Sequence, residues 1–263
     1  MDAVGESQIT YDARGLVEPD ETVPGVSVIE DGKATFDAAE LTTRKVNLEL
    51  RSLIYEQGID DVTILNPGGL HSLGVGILKR CRMTFDGSLG YFACGVIDGP
   101  EVLIKGRVGW SACENMMSGV VVVDGNAGSL TGAALRGGDL VIKGRAGART
   151  GIDQKGGSII ITGDVGANTG FMMQRGRQLI LGNAGPHLGD SMYDGEIYVG
   201  GEVKSLGADC VPGEMTEADH EFVERKMRLY DLGSPPADIK KFECGKMLYN
   251  YDNLEPSERK IVL

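Results

Sequence analysis

Apolar positions return every 19 residues through the middle of the chain. One column reads Ile104, Val123, Ile142, Ile161, Ile180 and Val199, and a neighbour reads Val108, Ala127, Ala146, Val165, Ala184 and Val203. Each repeat holds a short β-branched run, such as VLIK, VVVV, LVIK or IIIT, ended by glycine. Runs of that length predict strands and are too short for helices. Glycine keeps the same period. One series is Gly68, Gly87, Gly106, Gly125, Gly144, Gly163, Gly182 and Gly201; a second is Gly90, Gly109, Gly128, Gly147, Gly166 and Gly185. Shorter series run through Gly119, Gly138, Gly157, Gly176 and Gly195, and through Gly132, Gly151, Gly170 and Gly189. With 40 glycines in 263 residues, eight consecutive hits in one register have a chance on the order of 10⁻⁷, so the repeat is real.

Nineteen residues with more than one short strand cannot close a helix pair, but they can make one coil of a solenoid. Identical positions then stack about 4.8 Å apart and each column becomes a ladder. The pattern therefore predicts a mainly β fold: a right-handed parallel β-helix, a single-stranded solenoid of six or seven coils over residues 61–212. The glycines are expected at corners, where every coil bends with the same backbone dihedrals. Propeller blades need about 40 residues, and the Leu/Asn signature of leucine-rich repeats is missing.

The flanks are patterned differently. Asp37 and Glu40 read as a capping box for a helix over 43–56, with Val46, Leu50, Leu53 and Ile54 on one face. Residues 36–60 are accordingly a capping-helix region that covers the first coil. Thr216 reads as the cap of a helix reaching Tyr230, stopped by Gly233 and Ser234-Pro235-Pro236. Residues 213–263 become a C-terminal helix and extended tail, whose Phe242, Met247, Leu248, Tyr249 and Tyr251 should pack on another surface. Residues 1–35 form an acidic N-terminal arm.

Charge and cysteine usage narrow the class. Asp and Glu number 38 against 26 Lys and Arg, a formal charge of −12, which argues against nucleic acid as a partner. No run approaches the roughly 18 apolar residues of a membrane span. The first 23 residues lack the basic and apolar regions of a signal peptide. Five cysteines without a CxxC pair make a disulfide framework and a zinc site poor readings. A reduced cytoplasmic protein is the expectation.

Candidate chemistry is sparse. His71, His187 and His220 lie in unrelated places, and neither a G-x-S-x-G elbow nor a P-loop is present. Gly74-Val75-Gly76 belongs to no strand–GxGxxG–helix unit. Asp139, Asp153, Asp164, Asp190 and Asp194 occupy turn positions that Asp favours anyway. Cys94 and Cys113 fall in the Gly132 column, so they should stack on adjacent coils. They read either as a redox pair or half a metal site, or as small apolar residues filling a corner, and the second reading is favoured. No catalytic, cofactor-binding or metal-ligating residue is assigned. One surface does stand out. If the Ile104 column points inward, Leu103, Val122, Val141, Ile160, Leu179 and Tyr198 point outward. Six stacked apolar side chains exceed what monomers usually leave bare. They form a candidate interface, to be covered by the flanking helices, the tail or another subunit.

The repeat G-x-x-G-x-x-M-x-x-G-x-hydrophobic-x-hydrophobic-x-G-x-x-G, present as GWSACENMMSGVVVVDGNAG and GFMMQRGRQLILGNAG, resembles the C-terminal GXGXG domain of the glutamate synthase large subunit. NPGG (66–69), IDGPE (97–101), GDSMYDGEIYVGG (189–201) and SLGAD (205–209) strengthen the likeness, which covers about residues 36–212. The stand-alone domain resembles a branch in which glutamate synthase functions are split over three polypeptides, typified by N-methylglutamate synthase, or methylamine–glutamate N-methyltransferase. The resemblance implies a hetero-oligomer with a class II glutamine-amidotransferase-like subunit and an FMN-binding glutamate-synthase-like subunit. Cofactors would then lie outside this chain: FMN, with an iron–sulfur cluster as a further candidate, in a partner. It also implies a scaffold without chemistry of its own. The formylmethanofuran dehydrogenase C subunit carries a similar repeat and is the alternative. A stand-alone β-helix enzyme is the third reading.

Overall fold

A computed structural model describes Tyr11–Asp12, Gly15–Leu16 and residues 22–245. Two short strands, β1 (Tyr11–Asp12) and β2 (Gly15–Leu16), pair antiparallel apart from the main sheet. That sheet has twelve strands and winds as a parallel β-helix of about seven turns. Its members are β3 (Val28–Glu30), β4 (Lys33–Asp37), β5 (Asp61–Leu65), β6 (Arg82–Asp86), β7 (Asp98–Ile104) and β8 (Ser118–Val123). They continue with β9 (Asp139–Ile142), β10 (Lys155–Ile161), β11 (Arg175–Ile180), β12 (Glu196–Val199), β13 (Cys210–Gly213) and β14 (Lys240–Cys244). From β4 to β12 each strand pairs in parallel with the next.

The register is the one the 19-residue period predicts. Ile104, Val123, Ile142, Ile161, Ile180 and Val199 lie opposite one another on successive strands, and all are buried. The second apolar column also stacks, through bridges Val108–Ala127, Ala146–Val165, Val165–Ala184 and Ala184–Val203. One polar pair interrupts the core: Gln178 donates from Nε2 to Gln154 Oε1 at 3.0 Å, and Gln154 donates to the Gly156 carbonyl at 2.9 Å.

The first two glycine series recur because the coils approach closely, which corrects the expectation of shared special dihedrals. A Cβ on Gly182 would lie 2.5 Å from the carbonyl carbon of Gly163 and 2.7 Å from the Asp164 nitrogen. Gly106, Gly125, Gly144, Gly163 and Gly201, and likewise Gly109, Gly128, Gly147, Gly166 and Gly185, face the backbone of the preceding coil in the same way. Gly68 does not belong to that stack. The step from β5 to β6 is 21 residues, Arg82 lying opposite Asp61, so Gly87 sits against Pro67 while Gly68 meets nothing nearer than its own loop's Asn66 carbonyl. The shared dihedrals belong to the other two series: Gly119 to Gly195 and Gly132 to Gly189 all have positive φ.

One corner of every coil is left-handed at three alternate residues, as at Ser111, Cys113 and Asn115 with φ of +55°, +58° and +54°. Such a backbone costs an L-residue about 1–2 kcal/mol. Alternating hydrogen bonds offset that cost. Ser111 N–H donates forward to the Ser129 carbonyl (2.9 Å), Cys113 back to Ala93 (2.8 Å), and Asn115 forward to Ala133 (2.9 Å). Cys94 and Cys113 thus occupy left-handed positions that the next coils give to glycine, and both are fully buried.

Both ends are closed. At the first, α1 (Thr43–Arg51) runs into a π-helical turn, Ser52–Glu56, and buries Val46, Leu50, Leu53 and Ile54 against the core. Its Asn47 replaces the missing preceding coil, accepting from Gly74 N–H at 2.9 Å and donating to the Ser72 carbonyl at 2.8 Å. Buried Glu49 accepts from the backbone of Gly25 (2.8 Å) and Ser27 (3.1 Å). The helix cap is Thr42, whose Oγ1 accepts from Lys45 N–H at 3.3 Å. Asp37 instead ends β4, accepting from Ala39 N–H, so the expected Asp37/Glu40 box does not form. The ladder also starts earlier than residue 61: β4 is already its first parallel strand, and α1 is inserted between β4 and β5. At the far end, β14 runs antiparallel to both β12 and β13 and buries Phe242. It accounts for the start of the expected tail; Met247, Leu248, Tyr249 and Tyr251 lie outside the described residues, as do residues 1–10, 13–14 and 17–21 of the arm. β13, which contains Pro212, and β3 form the sheet's two outer edges. Among the described residues no helix is long and apolar enough to cross a membrane.

Candidate functional site

The outward column is where the fold leaves an unfinished surface. Leu103, Val122, Val141, Ile160, Leu179 and Tyr198 stack in register on β7 to β12. The second helix, α2 (Glu217–Leu229), lies on this face with a cap at Thr216 and a capping box to Asp219. Its Phe222, Val223 and Met227 pack on Val141, Ile160, Leu179 and Tyr198, all four of which are fully buried. Thirteen residues at about 1.5 Å each reach about 20 Å, which is four rungs at about 4.8 Å. Six rungs are too many. Leu103 and Val122 stay half-exposed. The column is therefore an interface within the chain that is complete over four rungs and partial over the last two, where Val122 still packs against the edge of the helix cluster.

Polar contacts fix where the helix lies. At its N-terminal end, Tyr198 OH donates to Asp219 Oδ1 at 2.6 Å and lies 2.9 Å from Glu196 Oε2. Lys241 Nζ, on β14, joins Asp219 (3.1 Å) and Glu196 (3.2 Å), and Arg177 Nε donates to Glu196 at 2.5 Å. Burial pushes the Asp219 carboxyl up, but hydrogen bonds from Tyr198, Thr216 and Lys241 outweigh it and hold the group well below the usual carboxylate range. Glu196 is lowered in the same way, burial being outweighed by Arg177, Tyr198 and Lys241. The Arg177 guanidinium also stacks over the Phe222 ring at 4.6 Å. At the other end, Lys226 Nζ lies 2.6 Å from both oxygens of Asp139, which Tyr230 OH also bonds. These networks read as clamps: Arg177, Glu196, Asp219, Lys226, Asp139 and Lys241 each have a structural partner.

Beyond the helix's last turn lies a hollow of about 380 Å³ walled by Thr84, Leu103, Val122, Leu229 and Tyr230, with Arg82 and Glu101 at its rim. Leu229 is 62% exposed beside it. A second exposed feature escaped sequence reading. His71, Tyr91 and Trp110 stack on successive coils, with ring centroids 4.6 and 5.4 Å apart and planes within 16°. Tyr91 N–H donates to His71 Nδ1 at 2.9 Å, and Tyr91 and Trp110 are about half exposed. The signal was present: Tyr91 and Trp110 each follow a glycine of the second series, so they share a register.

Other clusters offer less. A groove of about 640 Å³ gathers Lys33, Arg80 and Arg82 with Asp31, Asp60, Asp61 and Glu101, but its charges pair with one another, as in Lys33–Asp61 (3.4 Å) and Arg82–Glu101 (3.5 Å). Burial pushes the Cys81 thiol to about 11 and Cys94 to about 12, and holds Cys113 well above the usual value. Such thiols are poor nucleophiles. Among the described residues no group of three or more His, Cys, Asp or Glu could hold a metal ion. His187 and His220 lie on a coil corner and on α2, away from His71. No family model and no curated protein matches the chain.

Proposed function

We propose that this chain is the scaffold subunit of a glutamate-synthase-like flavoenzyme of the N-methylglutamate synthase type, converting methylamine and glutamate to N-methylglutamate and ammonia. It would join a class II amidotransferase-like subunit to an FMN-binding synthase-like subunit, in the cytoplasm. The reading rests on the likeness of its repeat to the GXGXG domain. The structural observation that supports it is an end-capped ladder whose outward column is only partly covered at Leu103 and Val122. A rod bonded coil to coil through β strands and corners holds bound polypeptides at fixed separation, as the passage of an amine between two sites requires.

The test is reconstitution from three separately purified chains. The expected outcome is a yellow, FMN-bearing assembly that forms N-methylglutamate only when this chain is present. Leu103→Asp with Val122→Asp should block assembly while leaving the rod's own melting within a few degrees, because both side chains are only half-buried at the end of α2. Turnover by the isolated chain would favour the stand-alone enzyme and overturn the proposal. Co-purification with metal-bearing one-carbon enzymes would do so in favour of the formylmethanofuran complex.

A further inference from the structure

Cys210 on β13 and Cys244 on β14 are directly opposed across an antiparallel pair. The neighbouring pair, Asp209 and Gly245, is hydrogen-bonded, Gly245 N–H donating to the Asp209 carbonyl at 2.7 Å. Hydrogen-bonded and non-hydrogen-bonded pairs alternate along an antiparallel ladder, so the two cysteines form a non-hydrogen-bonded pair with Cα atoms about 4.5 Å apart. That lies within the range a disulfide spans. Both side chains also face one corner. Cys244 Sγ is 3.1 Å from the Met192 carbonyl oxygen, while Cys210 Sγ and Met192 Sδ both border the space a Cβ on Gly189 would take. Cys210 is buried and Cys244 is half-buried.

We propose that Cys210 and Cys244 are a reversible redox staple that locks β14 onto the end of the rod. The strand it would lock carries Lys241, the cation between Asp219 and Glu196, and Phe242 of the core. The chemistry is thiol–disulfide exchange with a small disulfide such as oxidised glutathione. The more exposed Cys244 attacks first as thiolate, forming a mixed disulfide and expelling one glutathione thiolate. Cys210, having lost its proton to solvent, then attacks the Cys244 sulfur and expels the second. The protein loses two protons and two electrons, and the glutathione disulfide is reduced to two thiols. Burial pushes the Cys210 thiol up to about 12, so the second step should quicken as pH rises.

The experiment exposes the full-length chain to oxidised glutathione, then to dithiothreitol. Titratable thiols should fall from five to about three and recover on reduction. Non-reducing peptide mapping should place the link between Cys210 and Cys244. Closing a loop of this length should raise the melting temperature by roughly 5–10 °C, an increase lost in Cys244→Ser and in Cys210→Ser. Cys244→Ser should also form no mixed disulfide at Cys210. A link found at Cys94 or Cys113, or no link under conditions that oxidise a surface thiol control, overturns the proposal. An unchanged melting temperature in the linked protein overturns its role as a lock.

Discussion

At the scale of single residues, two kinds of glycine do different work. Gly182 is required by crowding, with backbone of the preceding coil 2.5 Å from where its Cβ would be. Gly58 is required only by its backbone, at φ +73° with nothing within 4 Å of a built Cβ. Gly182→Ala should therefore cost about 2–3 kcal/mol, because backbone cannot swing aside as a side chain does. Gly58→Ala should cost about 1 kcal/mol. Denaturant titration of the two variants distinguishes them, and equal losses would refute the crowding account. The sequence displays Gly182 and Gly132 as members of equally strict series, so their position in the fold was legible. The cause was not, because the distance between coils cannot be read from one strand's letters. Gly68 shows the converse: it keeps the period while standing outside the stack, since an inserted pair of residues shifts the register of that coil.

Among elements, α2 decides how much apolar surface the molecule shows. Its Thr216 start and the Gly233 stop were plain in the chain. The face it covers was not, because the stripe Phe222, Val223 and Met227 fits any apolar partner surface. Val141→Asp should unseat it, placing an unpaired charge under Met227, and should lower stability by roughly 3 kcal/mol or more. Lys226→Ala should do similar damage of about 3 kcal/mol, since it removes the cation beside the nearly buried Asp139 carboxylate and leaves it the Tyr230 hydroxyl. Far-UV circular dichroism melts check both. Acid should act through Asp219 and Glu196. Their carboxyls titrate lower in the folded chain than in the unfolded one, so their contribution is complete above the unfolded values near pH 4 and is lost as pH falls below them. Melting at pH 7 and pH 3 should show this loss, and Asp219→Asn should melt lower at pH 7 with a smaller drop in acid. β4 and β14 were missed for a related reason. β4 is separated from β5 by the inserted α1, Lys33 lying opposite Asp61, and β14 returns antiparallel onto β12 and β13, so no 19-residue echo marks either.

For the molecule as a whole, the period gave the coil count and the stacking direction, while the end structures had to be seen. Each coil touches chiefly its neighbours, so stability should be graded along the axis. Hydrogen exchange is expected to be slowest in β8–β11 and fastest in β3; uniform protection would contradict a nearest-neighbour ladder. The two rims carry a further consequence. β3 runs against β4, and the outermost strand at the other end carries Pro212, a residue without an N–H to offer. A second copy arriving head to tail finds a reversed strand at one lip and a gap in the donors at the other, so the parallel rhythm cannot pass from copy to copy. Repetitive β proteins carry an inherent tendency to thread into filaments; here the reversed direction of β3 at one end and the proline of β13 at the other act against it.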